Sequence, residues 1–239
     1  MKIALLGYGK MGKAIESVID GIPQHEVILK YDGDSDGPLT TSMLKEADVA
    51  IEFSTPATAI FNINKCFEAG VPVVVGTTGW HKHLPELTIQ CEESNSTLFW
   101  ASNFSIGVNI FFAVNKYLAK VMNEQEQYDV TLEEIHHTEK LDSPSGTAIT
   151  LATGVLEELD RKHVWVNQAA EGEEQLSIIS KREAGVPGTH LVTYQSGIDT
   201  IEISHVAHSR LGFAQGAVKA AEWVHGKQGV YTMGDMLQF

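Results

Sequence analysis

Short apolar runs alternate with helical patterns through the first part of the chain. Lys2–Leu6 reads KIALL, an apolar run without alternation, which is typical of a strand buried on both faces of a parallel sheet. Similar runs predict strands at 26–31, 47–53, 71–75 and 97–101. Between strands, residues 13–19 and 57–69 have apolar side chains at helical spacing, and Gly70 caps the second helix. This alternation predicts an α/β domain of the Rossmann type, with a doubly wound parallel sheet.

The pattern changes after a long apolar helix predicted near residues 108–122. From there most strands follow one another without helices between them, which is typical of an α+β domain with an open mixed sheet. The predicted elements are strands at 128–136, 176–182, 190–195 and 200–206, a helix with apolar positions from 148 to 159, and a last helix over 213–225.

These two patterns predict two domains. We expect a dinucleotide-binding domain from residues 1–103 and 211–239, because the last helix is expected to return and pack on the first sheet. Residues 104–210 form the predicted substrate-binding and oligomerisation domain, with crossovers near Asn103 and Arg210. A broad open sheet needs a cover, and a second subunit is one way to supply it.

A glycine-rich segment follows the first strand directly and leads into the first helix. In this G-x-G-x-x-G pattern, Gly7 permits a tight turn, Gly9 allows the backbone to approach a pyrophosphate, and Gly12 allows close helix–strand packing. The position between strand and helix predicts a site for NADH or NADPH. The candidate cofactor-binding residues in this segment are Gly7, Tyr8, Gly9, Lys10, Met11 and Gly12.

The sequence leaves the choice between the two nucleotides open. Asp32 lies twenty residues beyond Gly12, the distance at which an acidic residue meets the adenosine ribose hydroxyls. A carboxylate there favours NADH, but Lys30 nearby softens that preference. An ordinary loop at Asp32 explains the spacing equally well.

Small polar clusters follow other predicted strands of the first domain. Ser54-Thr55-Pro56 comes after the third strand, and Gly76-Thr77-Thr78-Gly79 after the fourth. Ligands of doubly wound sheets lie beyond the carboxyl ends of the strands. Each cluster alone is compatible with a structural turn, but their recurrence favours a shared ligand-binding edge.

The segment 134–148 reads EIHHTEKLDSPSGTA and carries the densest chemistry of the chain. His136 and His137 are adjacent, so they cannot share one strand face, and Lys140 follows closely. Ser145 then opens a helix whose first N–H groups lack intrahelical acceptors. A purely structural role, as a strand, a polar turn and an N-capped helix, is one explanation of this segment. The density of donors instead favours a site for a small carboxylate-bearing molecule beside a titratable imidazole.

Composition narrows the possible partners. The formal net charge of −14 argues against non-specific nucleic-acid binding. The histidines lack the spacing of a zinc protease and a nearby third ligand, so we predict no metal. Two cysteines imply no disulfide framework, and apolar runs are too short for a membrane span or signal peptide. We therefore expect a cytoplasmic protein.

Taken together, the motifs resemble those of one known family, the bacterial 4-hydroxy-tetrahydrodipicolinate reductases. The resemblance spans essentially the whole chain. It rests on GYGKMG, GTTG, ASNFSIGVN, EIHHTEKLDSPSGTA, VPGTH and ISHVAHSRLGFAQGAV. It implies NAD(P)H-dependent reduction of a small cyclic dicarboxylate in lysine and diaminopimelate biosynthesis. It also implies a homotetramer built by the sheet of the C-terminal domain.

The same resemblance implies roles for individual residues. His136 matches the family's proton donor or acceptor and Lys140 its proton donor, while His137, Gly146 and Thr147 match substrate-binding positions. Further cofactor contacts are implied at Gly76, Thr77, Thr78, Ala101, Ser102, Asn103 and Phe104. Gly33 follows Asp32 where the family sometimes has a basic residue, which puts a dedicated contact to a 2′-phosphate in doubt.

Two alternatives remain at the level of sequence. One is another two-domain Rossmann oxidoreductase that acts on a different small carboxylic acid, which would not require the HHTEK…PSGT cluster. The other is a nucleotide-sensing regulator, which would need the glycine loop but no titratable cluster.

Overall fold

The chain folds into two compact units. The computed structural model describes residues 1–33, 37–209 and 211–239. Unit 1 comprises Met1–Ile106 and Leu211–Phe239, and unit 2 comprises Gly107–Arg210. The predicted crossover at Arg210 itself lies outside the described residues. The binding role predicted for each unit stays a prediction.

The helices and strands are as follows in chain order. Through the first unit and into the long helix they are β1 (Lys2–Leu6), α1 (Lys10–Ile19), β2 (Glu26–Tyr31), α2 (Thr41–Leu44), β3 (Val49–Glu52), α3 (Pro56–Ala69), β4 (Val73–Val75), a 3₁₀ helix (His81–His83), α4 (Leu84–Glu93), β5 (Thr97–Trp100) and α5 (Ile106–Met122). The remainder are β6 (Asp129–His136), α6 (Gly146–Leu156), β7 (Val164–Val166), β8 (Gln175–Arg182), β9 (Gly188–Gln195), β10 (Thr200–Ala207), α7 (Leu211–Val224), β11 (Gly229–Tyr231) and α8 (Met233–Leu237).

Unit 1 is a doubly wound parallel sheet, as the sequence predicts. Its six strands lie in the order β11-β5-β4-β3-β1-β2, and every neighbouring pair is parallel. Apolar residues pack on both faces, in two separate core clusters, which explains why the strands lack alternation. The chain leaves β1 for β2 on one side and continues with β3 on the other, so the strand order reverses beside β1. Such a reversal is where doubly wound sheets bind ligands.

The register of this sheet aligns the carboxyl ends of its strands. Leu6 pairs with Tyr31 on one side and Glu52 on the other, and Glu52 pairs with Val75. Val75 in turn pairs with Trp100. The next residue of each strand therefore reaches the same edge. Those residues are Gly7, Asp32, Phe53, Gly76 and Ala101.

Unit 2 is a five-stranded mixed sheet with helices on one face. The order is β10-β9-β6-β8-β7, with β9 antiparallel to both of its neighbours and the other pairs parallel. Apolar residues of α5 and α6 pack with one face of the sheet in a single core cluster. Alternate strand residues such as Leu191 and Thr193 point to the other face and are only half-buried in the single chain. The α+β prediction with an open sheet is confirmed.

Several elements differ from the sequence prediction. Helix α1 begins at Lys10 rather than Lys13, so the last part of the glycine motif is helical. Strand β11 was not predicted, because it is three half-buried residues that begin at a glycine. The helices α2, α4 and α8 and strand β7 were also missed, since short or polar segments carry little periodic signal. Among the helices of the described chain, none is long and apolar enough to cross a membrane.

Candidate active site

Three loops of unit 1 form a cavity at the carboxyl edge of its sheet. The cavity has a volume of about 480 Å³ and lies where the strand order reverses. Its lining combines the glycine motif with the segments that follow β3 and β4. The lining residues are Gly9, Lys10, Met11, Phe53, Ser54, Pro56, Gly76, Thr77 and Thr78. The structure thus brings six of the predicted cofactor-binding residues to one cavity.

Two glycines of the motif, Gly12 and Gly9, have different surroundings. A Cβ atom on Gly12 would lie 2.4 Å from the carbonyl oxygen of Gly7, so only glycine allows helix α1 to approach the turn this closely. A Cβ atom on Gly9, by contrast, would meet nothing within 4 Å. The space beside Gly9 is open to a ligand, as backbone approach to a pyrophosphate requires.

The floor of this edge contains a buried carboxylate that sequence reasoning missed. Glu52 ends β3 with 0% exposure and accepts hydrogen bonds from the Ser54 backbone N–H at 3.1 Å and from the Asn62 side chain at 3.3 Å. Burial raises the pKa of Glu52, while these hydrogen bonds oppose the shift. Glu52 therefore orders the β3 loop that lines the cavity, since it fixes the backbone of Ser54.

The predicted nucleotide contacts that follow β2 and β5 lie at the same sheet edge but outside the cavity lining. Asp32 is exposed directly after β2. Segment 101–104 follows β5, with Ala101 and Phe104 buried in the core and Ser102 exposed. Phe104 packs against Phe53 with ring centroids 5.6 Å apart, which connects this segment to the cavity wall.

Lys30 is held by a local cluster near the glycine motif. Its ammonium group pairs with the Glu16 carboxylate, which also accepts a hydrogen bond from Tyr8. The Lys30 Nζ atom lies 5.4 Å from the centroid of the Tyr8 ring. The hydrogen bond to Glu16 raises the pKa of Lys30, which keeps it charged. These contacts direct its charge to Glu16.

In unit 2, the histidine segment builds a buried polar cluster around Glu134. Glu134 and His136 lie on the core face of β6, and His190 lies next to them on β9. His136 Nδ1 is 3.5 Å and His190 Nε2 is 3.6 Å from Glu134 Oε2. Exposure is 0% for Glu134, 6% for His136 and 5% for His190. This arrangement places two imidazoles on one carboxylate.

The pKa values of Glu134 and His136 are both lowered in this cluster. Burial opposes ionisation of Glu134, but hydrogen bonds from His190, Ser145 and Ser180 outweigh it and lower its pKa to about 2. Burial lowers the pKa of His136 to about 4, and the negative Glu134 only partly offsets that effect. At neutral pH and without ligand, Glu134 is therefore ionised and His136 is neutral.

The start of helix α6 is attached to the same carboxylate. The Ser145 backbone N–H donates to Glu134 Oε1 at 3.1 Å, and the Ser145 hydroxyl accepts from the Ala148 N–H at 3.2 Å as the helix N-cap. Gly146 is exposed and Thr147 is half-buried in the first turn. Their N–H groups have no intrahelical acceptor by helix geometry, so this turn can receive an anion.

The turn between β6 and α6 carries the remaining predicted residues. His137 lies directly after β6, and its carbonyl accepts from the Lys140 backbone N–H at 3.1 Å. Lys140 Nζ pairs with Asp142 Oδ1 at 2.8 Å. Arg182 braces the turn by donating to the carbonyl of Asp142 at 2.7 Å. The five predicted catalytic and substrate-binding residues thus lie in one continuous segment of unit 2.

Glu134, His136 and His190 are also the type of residues that bind metal ions. Their ligand atoms all lie within 4.8 Å of one another. Glu134 already accepts hydrogen bonds from Ser145 and Ser180, so the hydrogen-bonded cluster has its own donors. The sequence prediction of no metal stays a prediction.

Sequence reasoning found the histidine segment but not the residues that support it. Glu134 could have been found, because it lies two residues before His136 and so shares its strand face. Ser180, Arg182 and His190 come from other strands, and no local spacing connects them to the segment.

Comparisons with known proteins agree along the whole chain. The family model described as "Dihydrodipicolinate reductase, N-terminus" matches residues 1–104, and the one described as "Dihydrodipicolinate reductase, C-terminus" matches residues 107–237. A 4-hydroxy-tetrahydrodipicolinate reductase of Christiangramia forsetii is 49% identical and covers 99% of this chain and 98% of its own. A protein of the same name from Methanoculleus marisnigri is 33% identical, covering 99% of each chain.

A solved structure supports the fold. Dihydrodipicolinate reductase from Paenisporosarcina sp. TG-14, described as dipicolinate-bound, matches with a TM-score of 0.80 at 22% identity, covering 99% of each chain. At that identity the match shows the fold alone. With both family models and full-length relatives in agreement, the chain belongs to the dihydrodipicolinate reductase family.

Proposed function

We propose that this protein reduces 4-hydroxy-tetrahydrodipicolinate to tetrahydrodipicolinate with NADH or NADPH, and that the segment 134–148 binds the substrate. In this reaction the substrate gains a hydride from the nucleotide and a proton, loses its hydroxyl group as water, and leaves the nucleotide oxidised. The observation that supports this proposal is that His136 and the Ser145 N–H at the start of α6 both approach the Glu134 carboxylate, in a chain of this reductase family.

The nucleotide is assigned to the cavity of unit 1. The N–H groups in the first turn of α1 and the open space beside Gly9 suit a pyrophosphate. The nucleotide supplies the hydride, and the loops after β3 and β4 line its binding cavity. The segment from Ala101 to Phe104 is proposed to complete the binding edge after β5.

We propose that NADH is the preferred nucleotide. Asp32 places a carboxylate at the end of β2, where it accepts hydrogen bonds from ribose hydroxyls and repels a 2′-phosphate. Lys30 contributes little against this preference, because Glu16 and the Tyr8 ring already hold its ammonium group.

The substrate is a small cyclic dicarboxylate, for which unit 2 provides donors of two kinds. Gly146 and Thr147 offer neutral N–H groups at the start of α6, and Thr147 adds a hydroxyl. His137 is proposed to contact the substrate from the other end of the turn. The described ligand of the Paenisporosarcina enzyme, dipicolinate, is of the same chemical class.

His136 and Lys140 are the proposed sources of the proton. His136 is neutral in the unliganded cluster because its pKa lies at about 4. A bound dicarboxylate adds negative charge beside the imidazole and raises its pKa, which favours the imidazolium form that can donate. Lys140 is proposed to donate the proton or to stabilise the developing charge.

We further propose a homotetramer in the cytoplasm. The open face of the unit 2 sheet is only half-buried in the single chain, which supports assembly through that face. The proposed location follows from the role in amino-acid biosynthesis implied by the family.

The proposal is tested by nucleotide oxidation with freshly generated 4-hydroxy-tetrahydrodipicolinate. NADH and NADPH are compared at matched concentrations, and absorbance at the nicotinamide wavelength is followed. We expect oxidation that depends on this substrate, with a higher kcat/KM for NADH. Oxidation only with another carboxylic acid would identify a different oxidoreductase. Binding of nucleotide without any oxidation would favour a regulator.

A further inference from the structure

Glu134 is the centre of the polar cluster, although no sequence motif singled it out. Its side chain is fully buried and ionised, an arrangement that is costly unless donors satisfy it. Donors reach it from three elements. The Ser180 hydroxyl of β8 donates to Oε1 at 2.7 Å, and the Ser145 N–H of α6 donates at 3.1 Å. His190 of β9 approaches Oε2 at 3.6 Å.

The second oxygen of Glu134 faces the proposed acid. His136 Nδ1 lies 3.5 Å from Oε2, within ion-pair distance, and makes no hydrogen bond in the described chain. The opposite ring nitrogen, Nε2, faces Gly188, where a Cβ atom would lie 3.2 Å away. Because residue 188 is glycine, no Cβ atom crowds Nε2 at that position.

We propose that Glu134 is a positioning residue: its carboxylate holds the proton of neutral His136 on Nδ1, so that Nε2 is the nitrogen available for proton exchange with the substrate. A carboxylate that faces one imidazole nitrogen fixes both the tautomer and the ring orientation. The same carboxylate fixes the start of α6 through Ser145. Glu134 therefore ties the imidazole to the turn proposed to bind a substrate carboxylate. This inference rests on the proposed function, because it requires His136 to be the acid.

Among the titratable and charged groups that face His136, Glu134 has the opposite effect on imidazole protonation to the other three. Facing the imidazole are Glu134 of β6, His190 of β9, Arg182 of β8 and Lys140 of the following turn. Of these four groups, Glu134 alone is negative. Its removal leaves His136 with neighbours that oppose protonation and with no acceptor for an Nδ1 proton.

The first arm of the test reads the tautomer directly. Protein labelled with ¹⁵N at histidine gives imidazole nitrogen shifts that distinguish the Nδ1–H and Nε2–H forms, and His136→Gln assigns the signal. At pH 7 we expect wild-type His136 to be mainly Nδ1–H. In Glu134→Gln, the Nδ1–H form should fall to a minority. A wild-type His136 signal that is mainly Nε2–H overturns the proposal, whether or not Glu134→Gln folds.

The second part of the test measures the steady-state kinetics of Glu134→Gln. Glu134→Gln should lower kcat about 10- to 100-fold, as loss of a partner that orients a histidine does, with a smaller change in substrate KM. In the His136→Ala background the same substitution should cause no further loss of kcat, because Glu134 acts through that imidazole. Multiplicative losses in the double variant would contradict the proposal.

Glu133→Gln is the matched control. Glu133 is the preceding residue on β6, points to the other face of the sheet and pairs with Lys181 at 2.6 Å. It should leave both the His136 tautomer and kcat unchanged, and equal effects in both variants would overturn the proposal. If the wild-type protein does not oxidise nucleotide with the substrate, the proposed function fails. The tautomer arm still decides whether Glu134 orients His136.

Discussion

Glu134 and His136 have pKa values shifted in the same direction for different reasons. Hydrogen bonds hold Glu134 ionised despite its burial, whereas burial itself holds His136 neutral. Sequence reasoning could identify His136 because an adjacent histidine pair and a lysine form a recognisable segment. It could not identify His190, because the pairing of β6 with β9 brings that side chain in from more than fifty residues away.

The lowered pKa values of His136 and Glu134 predict how the stability of the protein depends on pH. In the unfolded chain His136 and Glu134 regain ordinary pKa values near 6.5 and 4.5, against about 4 and about 2 in the fold. The unfolded state therefore binds more protons as the pH falls, so acid destabilises the protein. We expect stability to fall between pH 6.5 and 4 through His136, and between pH 4.5 and 2 through Glu134.

Melting temperature measured against pH checks this prediction. Glu134→Gln should lower the Tm at neutral pH and flatten the decline below about pH 4.5. Glu133→Gln, which alters an ion pair on the other sheet face, should keep the wild-type profile. A Glu134→Gln profile parallel to the wild type would contradict the low pKa of Glu134.

At the scale of elements, the pattern of apolar runs predicted both sheets but not their limits. Strands β3 and β4 are shorter than predicted, since Ala47 and Val71 belong to the core without belonging to a strand. Strand β11 was not predicted because three residues are too few to show the alternation of apolar and polar side chains that marks a strand. The cavity proposed to bind the nucleotide was predictable in outline, because the glycine motif and the clusters after β3 and β4 follow parallel strands.

Alanine substitutions at two glycines of the same motif should have different effects, one on stability and the other on NADH binding. Gly12→Ala places a methyl group 2.4 Å from the Gly7 carbonyl oxygen, and we expect a loss of about 1–3 kcal/mol in the free energy of unfolding. Gly9→Ala meets nothing within 4 Å, so its stability should stay within about 0.5 kcal/mol of wild type. Its methyl group enters the proposed pyrophosphate space and should weaken NADH binding about tenfold or more.

Urea unfolding and calorimetric titration with NADH measure the two effects. Gly12→Ala shows how much stability a methyl group costs where the backbone is closely packed. Gly9→Ala should keep wild-type stability, so a loss of NADH affinity in that variant cannot be attributed to unfolding. Wild-type NADH affinity in Gly9→Ala would show that the pyrophosphate does not lie beside this glycine.

For the molecule as a whole, the helices of unit 2 pack on one face of its sheet, and alternate residues of β9 on the other face are only half-buried in the single chain. Leu191 of β9 lies on that face, opposite Ser204 of β10 and Glu133 of β6. The sequence could predict such a face from strands that follow one another without helices. It could not give the apolar residues on it, because the choice of face depends on the register of pairing.

Sedimentation velocity at micromolar concentration tests the proposed assembly. We expect wild-type protein at four times the chain mass of 26.1 kDa. Leu191→Asp should shift the mass to that of smaller species, because a charge would be buried in the subunit contact. Tyr117→Asp, on an exposed position of α5 in the same unit, is the control and should leave the mass unchanged. A wild-type monomer would exclude the tetramer.

The turnover of His136→Ala with 4-hydroxy-tetrahydrodipicolinate shows whether His136 takes part in the proton transfer of a substrate-specific reductase. His163→Ala, which removes an exposed histidine of the same unit, is the matched control. We expect kcat of His136→Ala to fall by about 10²- to 10⁴-fold, the usual cost of losing an acid–base group, with NADH affinity unchanged. His163→Ala should turn over like the wild type. Wild-type turnover in His136→Ala would exclude His136 as the proton donor.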